Sequence, residues 1–266
     1  MNKLLKTAFC LILCAFLLAG CSFDISGINN VVDAVKPVSL VGSIKTETIF
    51  SADGLPVTKL DFENISFTNT DKAKIYIVPS DETRVEITYP SDMENHGFKV
   101  SLREGELKIS APKQTNFSAE KFEVLVFANI EEIEISGGIE VEMDAFKSRR
   151  IDLDIKGGAK VYVYNISATD VEIDIAGAAD IDLFGTAELF EIELAGAGSI
   201  DAKNLVSKKA EVKISGAGAA ELSVTEELLA DVDGVGTLTY YGDPVLKNIS
   251  GGLTDVEQAS KEVYGG

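Results

Sequence analysis

From residue 132 onward, carboxylates return at two fixed places about every 20 residues. Glu132, Asp152, Glu172, Glu191 and Glu211 form one series; Glu134, Asp154, Asp174 and Glu193, followed by Lys213, form the other. Partners such as Glu132 and Glu134 are two residues apart, which on an extended strand places both on one side, about 7 Å from each other. Calcium takes several carboxylate oxygens, so paired columns of this kind would gather it. The competing reading is a solvated acidic face. Carboxylates about 5 Å apart in water repel by roughly 0.8 kcal/mol, a tolerable cost that salt lowers. The nine-residue calcium repeat of secreted toxins has different spacing and is not matched.

The same acids offer general acid and base chemistry of the kind used by β-helix enzymes that act on polysaccharides, with Asp154 and Asp174, or Asp182 and Asp201, as candidate pairs. A repeated strip marks no single site, however. The basic cluster that uronate chemistry would want, Lys147 with Arg149 and Arg150, falls at a turn, as does Lys208-Lys209. His96 is the only histidine and lies in the polar stretch Met93-Glu94-Asn95-His96-Gly97; with no His-based dyad, no Ser or Thr stands out as a nucleophile. The chain therefore reads as non-catalytic. Tyr162 and Tyr164 share one outer strand and are the aromatics best placed for sugar or protein contact, Tyr162 interrupting a third acidic series of Glu142, Asp182, Asp201 and Glu221. Tyr240 and Tyr241 read as packing for a C-terminal cap.

The elements that carry these residues are set by glycine. Gly137, Gly157, Gly177, Gly196, Gly216, Gly234 and Gly251 follow one another at 20, 20, 19, 20, 18 and 17 residues, a period suited to a stack of short β-rungs. Four and two residues before the glycines stand Ile133 and Ile135, Leu153 and Ile155, Ile173 and Ile175, Ile192 and Leu194, Val212 and Ile214. Four and six residues after them stand pairs such as Val141 and Met143, Val161 and Val163, and Ile181 and Leu183. Each rung thus has two alternating strands around a small-residue corner, and Phe146, Ile166 and Leu205 suggest a third inward side. A phosphate-cradling glycine loop would need a helix after it, whereas strands follow here; the corners read as needing positive φ or close contact between rungs.

Residues 57–130 alternate less regularly, from Phe62 and Ile65 through Ile75 and Ile77 to Val124 and Val126, with turn signals at Pro79-Ser80-Asp81 and Pro90-Ser91-Asp92. They are expected to form irregular entry rungs, with hairpins covering the first open edge. The expected fold is all-β, a parallel β-solenoid (β-helix). Its regular part spans residues 131–254 and is followed by a tail over 255–266.

Residues 1–20 read as a signal peptide, with Lys3 and Lys6 before an apolar run too short to cross a bilayer. Leu18-Ala19-Gly20-Cys21 resembles the bacterial lipobox, which implies that Cys21 is lipidated and becomes the new N-terminus. Residues 21–56 then act as anchor and tether. Cys10 and Cys14 leave with the signal, so no disulfide forms within one mature chain. The whole chain carries 24 Lys and Arg against 43 Asp and Glu, a formal charge of −19. Such a field disfavours nucleic acid.

The unit I-x-I-[S/K/A]-G-[G/A]-[A/G], closed by Tyr240-Tyr241-Gly242-Asp243-Pro244 and Ile249-Ser250-Gly251-Gly252, resembles the bacterial GIN domain family of auto-transporter adhesin heads. Lys74-Ile75-Tyr76-Ile77 and Leu107-Lys108-Ile109 resemble the adhesin-like β-strand repeat proteins of bacterial envelopes. The resemblance implies a right-handed parallel β-solenoid on an exported, often lipid-anchored protein; it does not imply a reaction. The expected role is a cell-envelope module for binding, adhesion or scaffolding, attached to a bacterial membrane by lipid, with an unidentified glycan or protein ligand. The competing role is an envelope-stress or regulatory module that binds a peptide or membrane-protein partner.

Overall fold

The computed structural model describes residues 37–51, 54–68, 72–145 and 147–259, so the signal segment, Cys21 and Phe146 lie outside the described residues. Two short strands, β1 (Val38–Ser39) and β2 (Ile44–Phe50), precede β3 (Lys59–Glu63), β4 (Ala73–Val78) and β5 (Arg84–Pro90). A 3-10 turn over Ser91–His96 leads to β6 (Lys99–Arg103), β7 (Glu106–Ser110), β8 (Phe117–Ser118) and β9 (Phe122–Phe127). The regular part comprises β10 (Glu132–Ile135), β11 (Gly138–Asp144), β12 (Lys147–Ile155), β13 (Gly158–Ile175), β14 (Ala178–Leu194), β15 (Ala197–Ile214), β16 (Ala217–Tyr241) and β17 (Val245–Ala259).

From β10 to β17 every ladder is parallel, and the chain is a β-solenoid whose longer strands bend around its corners. The expected inner columns are in register. Ile133 lies beside Leu153, then Ile173, Ile192 and Val212; on the next side Val141 lies beside Val161, Ile181 and Ile200. These side chains are fully or almost fully buried, as are Ile166 and Leu205 on the third side. The apolar interior drives the winding, because an isolated rung has nowhere to bury its alternating aliphatic face.

The uneven spacing has a local cause. β13 carries an extra residue between Val163 and Ile166, where Asn165 takes φ 57°, so a rung of 20 residues stacks on one of 19. The 18-residue rung arises where Ala202 and Val206 of β15 meet the adjacent Leu222 and Ser223 of β16, which skips three residues, one of them restored beyond Ser207. The glycine corners stack by close approach. A Cβ on Gly177 would overlap the carbonyl oxygen of Gly157, which already accepts a hydrogen bond from the Ala178 N–H at 2.8 Å.

The N-terminal half departs from simple winding. β3 pairs in parallel with β7 on one side and β10 on the other, while β4 lies between β9 and β11. The rung built from residues 59–78 is therefore interleaved between one built from 106–127 and one that starts at 132. Antiparallel β6 closes the first face beside β7, and β5 followed by β2 closes the second beside β9, as expected for hairpins covering the open edge. Two boundaries shift. Within the expected tether, residues 44–50 form β2, an integral edge strand; within the expected tail, β17 continues through Ala259.

Candidate functional site

The two acidic series do become columns on the outside of the first face. Glu132, Asp152, Glu172, Glu191 and Glu211 are neighbours in register, as are Glu134, Asp154, Asp174, Glu193 and Lys213. They are not bare. Lys59 sits beside Glu132 in the ladder and places its Nζ 2.7 Å from Glu132 Oε1 and 2.8 Å from Glu134 Oε1. Arg150 bridges Asp152 at 2.8 Å and Glu172 at 2.6 Å, Lys156 pairs with Asp154, and Lys213 Nζ lies 2.8 Å from Glu193 Oε1. Arg150 thus reaches the ladder, although its sequence position at a turn suggested otherwise. Among the described residues, no group of three or more His, Cys, Asp or Glu side chains is arranged to hold a metal ion.

The ladder separates into two electrostatic regimes. The Lys59 ammonium holds the Glu134 carboxyl below its ordinary value. Asp174 and Glu191, farther along, are pushed up, first by burial and then by neighbouring carboxylates. On the second face Asp180 and Asp182 are raised in the same way, burial leading and Asp201 adding repulsion to each.

A raised carboxyl binds its proton more tightly in the fold, so its stabilising contribution appears only as pH falls through the folded pKa. Glu134 behaves oppositely, contributing above the unfolded pKa and losing that contribution in acid. Replacing Asp180 and Asp182 together by Asn should raise the melting temperature at pH 7 by roughly 1–3 °C, allowing for solvent screening of partly exposed groups. Circular dichroism melts at pH 7 and pH 4 test this, since the gain should shrink at the lower pH. An equal gain at both values would exclude the ionised carboxylates as its source.

Tyr162 lies on the outer side of the second face, between Glu142 and Asp182 in register, and is partly exposed. Burial and the nearby Glu140, Asp180 and Asp182 carboxylates raise its phenol pKa. Tyr164, two residues on, stacks against Phe184 with ring centroids 5.2 Å apart and planes 25° apart. Phe184 was missed by sequence reasoning, although it stands seven residues after Gly177 as Tyr164 does after Gly157. Tyr76 extends the aromatic row on the other side of Glu142. At the C-terminal end, Tyr240 is buried, and the Tyr241 hydroxyl reaches Glu221 at 3.4 Å. His96 is exposed, while Met93 anchors the same short turn in the core.

A second feature, without a signal in the local sequence, is a cleft of about 750 Å³ where β2 ends. Phe50, Leu55, Arg84 and Phe127 line it, with the Arg84 guanidinium carbon 4.1 Å from the centre of the Phe127 ring. These residues are distant in sequence and meet only because β5 lies between β2 and β9.

Solved structures share this architecture. A "putative adhesin" from Bacteroides fragilis NCTC 9343 is 21% identical and superposes with a TM-score of 0.72 over 84% of this chain and 100% of its own. A second "putative adhesin", from Parabacteroides distasonis ATCC 8503, is 20% identical with a TM-score of 0.57 over the same shares. A "putative lipid binding protein" from that organism is 17% identical with a TM-score of 0.55, again over 84% of this chain and 100% of its own. At these identities the likeness establishes the fold. No curated protein matches the sequence. The family model described as "Putative auto-transporter adhesin, head GIN domain" matches residues 61–244, from β3 to the turn after β16, and the chain belongs to that family.

Proposed function

We propose that this chain is an exported lipoprotein, anchored at Cys21, whose solenoid presents a non-catalytic contact surface for a glycan or protein at the cell envelope. The observation that carries the binding surface is Tyr162, a partly exposed aromatic set among outward carboxylates on a rigid parallel sheet. A ring held in this way offers an apolar face with a polar hydroxyl, and contact costs little conformational entropy because the backbone is fixed on both sides. The surrounding acids favour a neutral or cationic ligand over an acidic one. Tyr164 and Phe184 spend one ring face on each other, so they support the surface more than they extend it.

Glycan arrays and partner capture, comparing the mature chain with its Tyr162→Ala variant, test the surface. A ligand retained by the mature chain should be lost or weakened at least about tenfold by the variant, the size expected for one aromatic contact, with the melting temperature kept. Unchanged capture would rule out Tyr162 as the contact. Anchoring is tested separately. Cys21→Ser should move the protein from the membrane to the soluble fraction, and continued membrane retention would count against lipidation.

A further inference from the structure

We propose that β2 is a self-association edge, pairing antiparallel with β2 of a second copy about a two-fold axis at Thr46, so that the second sheet continues across two molecules. β2 ends the strand path on that face, with β5 on one side and, among the described residues, no strand on the other. Its hydrogen-bonding phase follows from the β5 register. The Ser91 N–H donates to the Ser43 carbonyl at 3.0 Å, and Ile44 lies opposite Pro90, which has no N–H. In an antiparallel ladder bonded and non-bonded pairs alternate, so Ile44, Thr46, Thr48 and Phe50 turn their backbone groups toward the open edge.

Native edges of this length are normally blunted by proline, a bulge or charge. β2 contains no proline, its register with β5 is unbroken, and its one cation is committed: Lys45 Nζ lies 2.8 Å from Glu47 Oε1 and 2.6 Å from Glu94 Oε1. By contrast, β6, the edge of the first face, begins with Lys99 and ends with Arg103. Exposed apolar residues also gather at β2. Of eight large exposed hydrophobics among the described residues, Ile44 and Phe50 lie in β2 and Val41 and Leu55 in the segments on either side of it, with Phe50 63% exposed. Phe50, Arg84, Phe127 and Val78 form one row across β2, β5, β9 and β4, beside the 750 Å³ cleft.

A second copy fits this edge because its sequence is self-complementary. With Thr46 opposite Thr46, Lys45 faces Glu47 of the other copy on both sides of the axis, Ile44 faces Thr48, and Phe50 faces Gly42. Centring on Glu47 would instead oppose two like charges, which is destabilising. Centring on Thr48 sets Lys45 opposite Ser51, so no acid of the other copy lies beside it. The location suits two acidic molecules. Residues 41–130 hold 10 Lys and Arg against 14 Asp and Glu, whereas residues 131–259 hold 10 against 26, so pairing through β2 joins the less charged ends.

Thr46→Cys in a background carrying Cys10→Ala, Cys14→Ala and Cys21→Ser, which leaves no other thiol, tests the register directly. Opposed residues of a bonded antiparallel pair have Cα atoms about 5.5 Å apart, within disulfide reach, so mild oxidation should give a covalent dimer. Thr48→Cys in the same background should not cross-link, since the two substituted positions lie off the axis. Sedimentation of the Cys21→Ser protein without further change should show mass rising toward twice the monomer with concentration. Thr48→Pro removes one outward N–H while sparing the β5 ladder, and should leave a monomer that melts within a few degrees of the parent. A monomer at every concentration overturns the proposal, even if the edge captures a foreign extended peptide. Equal cross-linking at residues 46 and 48 overturns the register.

Discussion

Gly177→Ala is expected to cost about 3 kcal/mol or more and to shift the urea midpoint far below that of the parent, whereas Gly158→Ala should change it little. The two substitutions add the same methyl to residues of the same corner column system. At Gly177 the new Cβ would overlap the Gly157 carbonyl oxygen, and relief requires prising apart two rungs at a corner where Ala178 N–H donates to that same oxygen at 2.8 Å. At Gly158 a Cβ meets nothing within 4 Å. There, the reduced freedom of the unfolded chain can even stabilise by about 0.4–1 kcal/mol. Far-UV circular dichroism in urea reads both variants, and similar midpoints would show that the corner is not closely packed.

Phe190→Ala should cost about 3–5 kcal/mol, the range for removing a buried aromatic. Phe190 is fully buried in a column otherwise aliphatic, with Val171 before it and Ala210 after it in register. The small Ala210 accommodates the large ring next to it, so the cavity left by truncation has no bulky neighbour along the column to collapse into it. Ala210→Leu alone should overpack the site and cost about 1–3 kcal/mol. Combined with Phe190→Ala it should restore part of the lost stability, and the double-mutant cycle measures the coupling. Simple additivity of the two losses would mean that the residues do not share a packing volume.

The inner architecture was legible because burial imposes a strict order on alternating side chains. Ile133, Leu153 and Ile173 had to share a face once the glycine period fixed the rung length, and the same count placed Tyr162 beside Asp182. Rung order in the N-terminal half was not legible. The Leu60 and Phe62 alternation is equally compatible with any neighbour, and only tertiary pairing sets it between β7 and β10. β2 escaped notice because Ile44-Lys45-Thr46-Glu47-Thr48-Ile49-Phe50 buries no full column and so lacks the usual strand pattern. The reach of Arg150 to Glu172, and the meeting of Phe50 with Phe127, depend on stacking across distant sequence and leave no local trace.

The interleaved rung has a mechanical consequence. In a simply wound solenoid, tension applied at the N-terminal end could unzip one rung after another, breaking hydrogen bonds singly. Here such a pull first parts the two-residue β1 from β8 and then peels β2 from β5, yet β3 and β4 are each clamped between two parallel partners contributed by residues 106–144. Extracting them requires both flanking ladders to slide together, a shearing geometry in which many bonds share the force. The N-terminal end of the solenoid therefore works as a grip: it yields abruptly at high load instead of fraying under a small one.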